Sequence, residues 1–256
     1  MLCLSLACGD HPEPADTTDT SSGAATPKPA TTKVGKVAID PATVGSISGV
    51  VMASGTVPTP SLIKMVGDSF CIQSAPEDGG YLDDRLLVQD GKLENAFVWI
   101  KSGLEGYEIS RGEGVVTLDQ KDCLYAPRIA GVQLGQDVQV TTSDPVLHNI
   151  HTHPSRNRAQ NTAQIPKGPP VDLIFKKPEV MVRVACDIHA WMSAWIGVVE
   201  HPYFAVTGAD GSYSLEGVPP GTYTLGVWHE TRGEQEVSVT VGDKADVTAG
   251  EVVYQL

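Results

Sequence analysis

The stretch Cys186-Asp-Ile-His189-Ala-Trp-Met192 places a thiol, an imidazole and a thioether at successive three-residue intervals. A copper ion that changes between Cu(I) and Cu(II) is held by these three side-chain types together with a second imidazole. The sequence therefore predicts that this stretch supplies three ligands of a mononuclear copper site. A histidine from another part of the chain has to supply the fourth.

Strand-like runs border this stretch on both sides. Residues 181–185 alternate between the two faces of a strand, and the apolar run 195–199 follows. A period of two residues is typical of a strand with one buried face. Cys186 is then expected at the end of a strand, with His189 and Met192 in the short loop that leads to the next one.

His148 is the first candidate for the fourth ligand. It follows the strand-like run 137–141 across a short Ser-Asp-Pro turn. Two loops at the same end of a sandwich can converge on one ion, so His148 and the loop after Cys186 are expected to meet. His151 and His153 lie in a His-Thr-His-Pro turn just beyond and are alternative or additional ligands. The strand-and-loop pattern does not separate these histidines.

The remainder of the chain favours β structure. Glycine and proline are frequent, 26 and 18 residues, and no long run repeats apolar residues with a helical period. Short β-like runs separated by turn signals are typical of a sandwich or barrel. These runs are 47–52, 86–88, 96–100, 115–118, 139–141, 236–241 and 252–254.

Charge argues against nucleic acid as a partner. The chain has 18 basic and 31 acidic residues, a net charge of −13, whereas phosphate binding needs the opposite sign. One segment departs from this balance. Residues 151–185 carry six basic and two acidic side chains, and we expect this basic segment to help orient a redox partner by complementary charge.

The N-terminus indicates export. Residues 1–8 are apolar up to Cys8 and resemble the end of a bacterial lipoprotein signal, in which that cysteine is lipidated. Residues 9–38 are rich in Pro, Thr and Ser, and we expect a disordered linker there. No later segment has the roughly 18 apolar residues of a membrane span. A periplasmic or cell-surface location, with attachment only through Cys8, follows as an expectation.

The C-terminal part carries a resemblance to a known family. Asp210-Gly-Ser-Tyr-Ser-Leu215 and Val218-Pro-Pro-Gly-Thr-Tyr-Thr-Leu225 read as two alternating strands joined by a Pro-Pro-Gly turn. This pattern resembles the carboxypeptidase regulatory-like domain, a small transthyretin-like β-sandwich. The resemblance implies a packing or binding module over residues 201–256. A module of this size is marginal on its own, so we expect it to lean on the preceding domain.

The segment from about residue 114 to 200 resembles the cupredoxins, most closely the amicyanin and plastocyanin branch. The shared features are Leu134-Gly-Gln-Asp-Val138, His148-Asn-Ile-His151, and the Cys-x-x-His-x-x-Met motif that ends in Gly-Val-Val-Glu200. The resemblance implies that one copper ion is bound by His148, Cys186, His189 and Met192. It also implies that Asn149 steadies the thiolate loop with its backbone and side chain.

Cys71 and Cys123 remain once Cys3, Cys8 and Cys186 are set aside. In an exported protein a remaining pair predicts a disulfide, with two separate buried thiols as the alternative. Two aromatic clusters, 228–230 and 201–204, also contain a histidine each. We expect them to form a packed domain junction with the histidines at the surface, not a second metal site.

Together these observations predict an all-β protein. Residues 39–200 form a cupredoxin-like Greek-key β-sandwich with an extended N-terminal part, and residues 201–256 form a small transthyretin-like β-sandwich. The predicted function is a mononuclear type 1 copper protein that carries single electrons to a redox protein such as a cytochrome or dehydrogenase, and is not an enzyme. The alternatives are copper sequestration, or a surface module with a vestigial site.

Overall fold

A computed structural model describes residues 36–256. The expected signal remnant at 1–8 and nearly all of the expected linker at 9–38 lie outside this part. The strands and the helix of the described part, in chain order, are β1 (Val37–Ala38), β2 (Gly45–Ser54), β3 (Leu62–Lys64), α1 (Ser69–Ser74), β4 (Gly80–Leu82), β5 (Val88–Gln89), β6 (Lys92–Leu93), β7 (Phe97–Ser102), β8 (Tyr107–Glu108), β9 (Val115–Lys121), β10 (Leu124–Ala126), β11 (Ile129–Gln133), β12 (Asp137–Thr142), β13 (His148–His153), β14 (Asn161–Gln164), β15 (Val171–Leu173), β16 (Glu179–Ala185), β17 (Ser193–Val199), β18 (Phe204–Val206), β19 (Ser212–Val218), β20 (Gly221–His229), β21 (Gly233–Val241), β22 (Asp246–Thr248) and β23 (Val252–Gln255).

The predicted all-β class is confirmed. One sandwich has a sheet in the order β10-β9-β12-β15 and a sheet in the order β11-β17-β16-β13-β14. Four of the seven neighbouring strand pairs in these two sheets are not consecutive in the chain, so connections cross between the sheets. Their inner faces share one core, to which Leu118, Val140, Ile150, Val184 and Ile196 belong. This sandwich carries the predicted ligands.

A second sandwich combines strands from the two ends of the described part. Its sheets have the orders β18-β7-β20-β21 and β19-β2-β6-β5, and β22 and β23 pair with β2. Ile47 of β2, Val98 of β7, and Leu215 and Leu225 from the C-terminal part lie in one core. Residues of β2 alternate between buried and partly exposed positions, as expected for a strand with one face in a core.

The expected domain boundary at residue 200 therefore does not separate the two sandwiches. Strands β2 and β7 precede the boundary, yet they pair with β19 and β20, which follow it. The physical reason is size, because some 55 residues bury little apolar surface alone. Four strands of the N-terminal extension, β2, β5, β6 and β7, complete the C-terminal sandwich. Its assignment as a carboxypeptidase regulatory-like domain stays a prediction.

Another part of the extension packs on the first sandwich. Residues 62–82, which we call the cap, contain β3, α1 and β4. Met65 and Tyr81 of the cap are buried in the core of the first sandwich, and Cys71 of α1 forms a disulfide with Cys123. The predicted Cys71–Cys123 pairing is confirmed. It closes a loop with a sequence separation of 52, worth about 4 kcal/mol in the chain-entropy model.

The junction between the sandwiches contains buried charges and aromatic rings. Arg128 donates to both carboxylate oxygens of Glu230, and its Nη1 lies 2.9 Å from Asp84 Oδ1. The rings of Trp195 and Trp228 have their centroids 5.1 Å apart, and Trp195 Nε1 donates to Glu230 at 3.2 Å. The expected aromatic packing is present.

The expectation that the two junction histidines lie at the surface is wrong. His201 and His229 are 9% and 1% exposed. His201 is held by a 2.7 Å contact between its Nε2 and the carbonyl oxygen of Ile100, and burial lowers the pKa of His229 to about 4. Each ring finds backbone or hydroxyl partners inside the protein, so neither needs solvent.

Within residues 36–256, no helix has both the length and the apolarity needed to cross a membrane.

Candidate metal centre

The loop 186–192 connects the antiparallel strands β16 and β17, as the strand pattern predicts. The loop is tied to itself: Cys186 N donates to Met192 O at 3.3 Å and Met192 N donates to His189 O at 2.9 Å. His189 N points at Cys186 Sγ at 3.4 Å. The turn therefore folds back over the sulfur, which brings the side chains of Cys186 and His189 to the same side.

His148 is the first residue of β13 and lies beside this loop. Its Nδ1 is 2.9 Å from Nδ1 of His189. Successive residues of a strand point to opposite faces, so His148 and His151 face opposite ways. His151 Nδ1 contacts the carboxylate of Asp187 at 3.0 Å, and His153 is exposed. The structure thus places His148, and not His151 or His153, next to Cys186 and His189.

The three candidate ligand atoms form a compact group. His148, Cys186 and His189 each offer one ligand atom, and these atoms lie within 4.8 Å of one another. Cys186 Sγ is 3.9 Å from His189 Nδ1. Ligand atoms that share one metal at about 2.0–2.3 Å are themselves roughly 3–4 Å apart. One thiolate and two imidazoles at these separations fit a copper ion.

Burial sets the character of the site. His148, Cys186 and His189 are 0%, 3% and 2% exposed, and Met192 is 0% exposed in the same core. Met192 closes the ligand loop through its backbone, and its thioether is enclosed by apolar side chains. Burial therefore keeps water away from the donors.

Asp144 orients His148 and was not predicted. Its Oδ2 is 2.9 Å from His148 Nε2, and its two oxygens accept the backbone N–H groups of Asp122 and Cys123 at 2.7 and 2.9 Å. The contact to Nε2 fixes the proton there and leaves Nδ1 as the ligand atom. The only sequence signal is an acidic residue in the turn four positions before His148.

The electrostatics of the pocket favour a cation. Burial opposes a charge on His148, but the hydrogen bonds to Asp144 and Cys186 outweigh it and raise the pKa of His148 to about 9. Burial alone would raise the pKa of the Cys186 thiol, yet donors from His148, Asn149 and His189 hold it below its usual value. Burial and the neighbouring His148 both lower the pKa of His189. A positive ion at the meeting point of the three donors takes the place that a proton would otherwise occupy.

Asn149 has the role that the resemblance implied. Its backbone N–H points at Cys186 Sγ at 3.5 Å, and its Oδ1 accepts the Asp187 N–H at 2.5 Å. Its Nδ2 donates to the Asp187 carboxylate at 2.9 Å. The predicted support of the thiolate loop by Asn149 is confirmed. Tyr125, which was not predicted, adds to it, because its hydroxyl donates to the carbonyls of Asn149 and Ala185 at 3.0 and 3.3 Å.

The cap covers the outer side of His189. The Nε2 of His189 is 3.7 Å from Cys71 Sγ in the disulfide, and the ring of Trp191 has its centroid 5.1 Å from that of His189. Trp191 Nε1 donates to Cys123 O at 3.0 Å, and Tyr81 OH donates to Trp191 O at 3.2 Å. The cap and the ligand loop are therefore fastened to each other at several points, which sequence reasoning did not find.

Comparison with known proteins gives partial similarities. No family model matches the chain, and no curated protein sequence matches it. Solved structures similar to part of it are cupredoxins. A purple cupredoxin from Nitrosopumilus maritimus is 18% identical, with 32% of this chain and 98% of that protein covered and a TM-score of 0.28. A reduced amicyanin variant is 19% identical, with 41% and 99% covered and a TM-score of 0.30.

A copper-containing nitrite reductase from Thermus scotoductus SA-01 is 19% identical, with a TM-score of 0.31. The similarity covers 40% of this chain and only 25% of that enzyme. All three similarities leave more than half of this chain uncovered. The ligands are therefore assigned from the distances and burial in this chain alone.

Proposed function

We propose that the chain binds one copper ion through His148, Cys186, His189 and Met192, and carries single electrons outside the cytoplasm. The observation that carries this proposal is the buried group of one thiol and two imidazole nitrogens within 4.8 Å of one another. Bound copper would supply a reversible one-electron couple. The protein's task is to hold the donors still, to exclude water and to present the site to a partner.

The residues around the ligands suit that task. Asn149 and Tyr125 hold the two strand ends together, Asp144 fixes the orientation of His148, and the cap holds His189. A site that is rigid before the metal binds changes little when the metal gains or loses an electron. Such preorganisation favours electron transfer over a function in which the ion is only stored.

A basic cleft beside the site supports a charged partner. Arg156, Arg158, Lys176 and Lys177 line it, and so does Asn161. Asn161 Nδ2 donates to Asp187 of the ligand loop at 2.9 Å, so the cleft adjoins that loop. We propose that an acidic redox protein, such as a cytochrome or dehydrogenase, docks here by complementary charge. A rate of electron transfer that is independent of ionic strength would contradict this part.

The proposed location outside the cytoplasm has two supports. The Cys71–Cys123 disulfide is typical of an oxidising compartment, and the apolar start with Cys8 resembles a lipoprotein signal. Labelling of the protein with a lipid precursor, compared with a Cys8→Ala variant, tests the anchor. Loss of the label in the variant is the expected result.

The metal site is tested by spectroscopy. Addition of Cu(II) to the metal-free chain should produce an intense visible thiolate-to-copper band, and Cys186→Ser should abolish it. His148→Ala should weaken or shift the band strongly. His153→Ala is the matched control, since it removes an exposed imidazole from the same strand and should leave the spectrum unchanged. Absence of the band in the parent protein would refute the copper assignment.

Voltammetry separates electron transfer from storage. An electron carrier should show a reversible one-electron wave and retain its copper in both oxidation states. A storage protein need do neither. Loss of copper on each reduction cycle would contradict the electron-carrier proposal while leaving copper binding intact.

A further inference from the structure

Two more groups of ligand atoms lie on the outer side of the predicted copper site. Cys71, Asp68 and His189 form one, and Cys123, Asp144 and His148 form the other, each with its atoms within 4.8 Å of one another. Both groups contain one sulfur of the same disulfide. On this side both imidazoles present Nε2, which carries the proton when Nδ1 binds the inner ion, so the sulfurs are the donors that remain for a second ion.

The oxidation state of this sulfur pair decides what the outer groups can bind. A disulfide sulfur is a weak ligand, whereas a thiolate is a strong one. Reduction by a dithiol transfers two electrons and two protons to the Cys71–Cys123 bond. The S–S bond breaks, two thiols form, and the reductant becomes a disulfide. Two buried thiols would then stand side by side next to the inner site.

We infer that the reduced pair Cys71 and Cys123 forms a second metal site, which takes a soft monovalent cation of the Cu(I) type. Each thiol gives up its proton as it binds, and the ion keeps its oxidation state. Two thiolates in an apolar setting select Cu(I) over hard cations. Both sulfurs are fully buried, so water does not compete for the ion.

His189 links the two sites without belonging to both as a ligand. Its Nδ1 faces Cys186 and His148, and its Nε2 lies 3.7 Å from Cys71 Sγ. With Nδ1 on the inner ion, the proton stays on Nε2 and points at the Cys71 sulfur. His189 therefore contacts the outer site through Nε2 while its Nδ1 belongs to the inner site.

The cap offers a route to the buried disulfide. Of the six residues of α1, only Cys71 is fully buried and Phe70 packs partly buried against the core, so the helix is held to the protein by these two residues and by its flanks. Met65 and Tyr81 anchor those flanks in the core. A segment with so few buried contacts opens at low cost, and opening of α1 exposes the sulfurs to a dithiol reductant.

This inference shares His189 with the proposed function but does not depend on electron transfer. It is tested by counting the Cu(I) ions bound to the full chain by native mass spectrometry, with Cu(I) supplied as its acetonitrile complex under anaerobic conditions. The oxidised protein should bind one ion, and the protein reduced with a dithiol and desalted should bind one more. The Cys71→Ser/Cys123→Ser variant keeps Cys3, Cys8 and Cys186, and should bind the lower number in both conditions.

Alkylation provides a second readout that needs no variant. Iodoacetamide should modify Cys71 and Cys123 in the reduced metal-free protein, and bound Cu(I) should protect both. The inference is overturned if reduction adds no ion, if the double variant also gains an ion on reduction, or if Cu(I) leaves both cysteines open to alkylation. A gained ion in reduced Cys186→Ser would support the outer site even if the inner site showed no visible band.

Discussion

The pairing of Arg128 with Glu230 is expected to hold the two sandwiches together. Arg128 precedes β11 of the first sandwich and Glu230 follows β20 of the second, and their side chains are 10% and 7% exposed. Replacement of Glu230 by Gln removes the negative charge and leaves a buried guanidinium. Breaking one partner of a buried pair costs about 3–5 kcal/mol.

Asp84 reduces this loss. Its carboxylate lies 2.9 Å from Arg128 Nη1 and stays in place in the variant, so we expect Glu230→Gln to lower the free energy of unfolding by about 3 kcal/mol, near the low end of that range. The matched control is Glu234→Gln. Glu234 pairs with Lys101 at the surface, where the two side chains are 35% and 42% exposed, and such pairs contribute about 0.2–1 kcal/mol.

Urea unfolding followed by tryptophan fluorescence and circular dichroism measures both losses. With a slope of about 2–3 kcal/mol per M, the midpoint should fall by roughly 1 M for Glu230→Gln and by no more than about 0.5 M for Glu234→Gln. Equal losses for the two variants, within about 0.5 kcal/mol, would show that the junction pair is no stronger than a surface pair.

Two further predictions concern a buried histidine and the support of the thiolate. Burial lowers the pKa of His229 to about 4, so on acidification the unfolded chain binds a proton at this histidine before the folded chain does. The contribution of neutral His229 to the free energy of unfolding should be fully present above pH 6.5, and about 3 kcal/mol of it should be lost on acidification through pH 4. Urea unfolding of the parent protein and of His229→Gln should show that the variant lacks this loss. Asn149→Ala removes the acceptor of the Asp187 N–H and should lower the free energy of unfolding by about 1–3 kcal/mol. The visible copper band of this variant should shift. Asn161→Ala loses only contacts to side chains and should keep the parent spectrum.

The ligand loop was predictable because its chemistry and its local structure coincide in the sequence. Two local patterns are enough to identify it, namely the spacing of Cys186, His189 and Met192 and the alternation of residues before them. Neither pattern depends on contacts with distant parts of the chain. The choice between His148 and His151 is different. It depends on where β13 begins and which face of it is inner, and that register is set by pairing with β14 and β16. Only the family resemblance favoured His148 beforehand.

The sequence predicted an N-terminal extension of the cupredoxin-like domain, but not the sandwich that its strands would join. Which sheet a strand joins is decided by partners far away in the chain, as for β2 and β19. The burial of His201 and His229 was missed for a similar reason. A histidine next to aromatic residues suits a surface as well as a core until its hydrogen-bond partner is known, and the partner of His201 is the carbonyl of Ile100.

The position of the extension explains how so short a ligand loop can be rigid. Seven residues between two strands satisfy few of their own polar groups, so the loop needs support from outside. Tyr81 of the cap binds the carbonyl of Trp191 on one side, and Trp195, just beyond the loop, binds Glu230 of the second sandwich. The second sandwich is itself completed by strands β2, β5, β6 and β7 of the extension. The cap and the completed sandwich therefore restrain the same loop from two directions. The cap does so by covering Nε2 of His189 with the Cys71–Cys123 disulfide, a bond that a reductant can break.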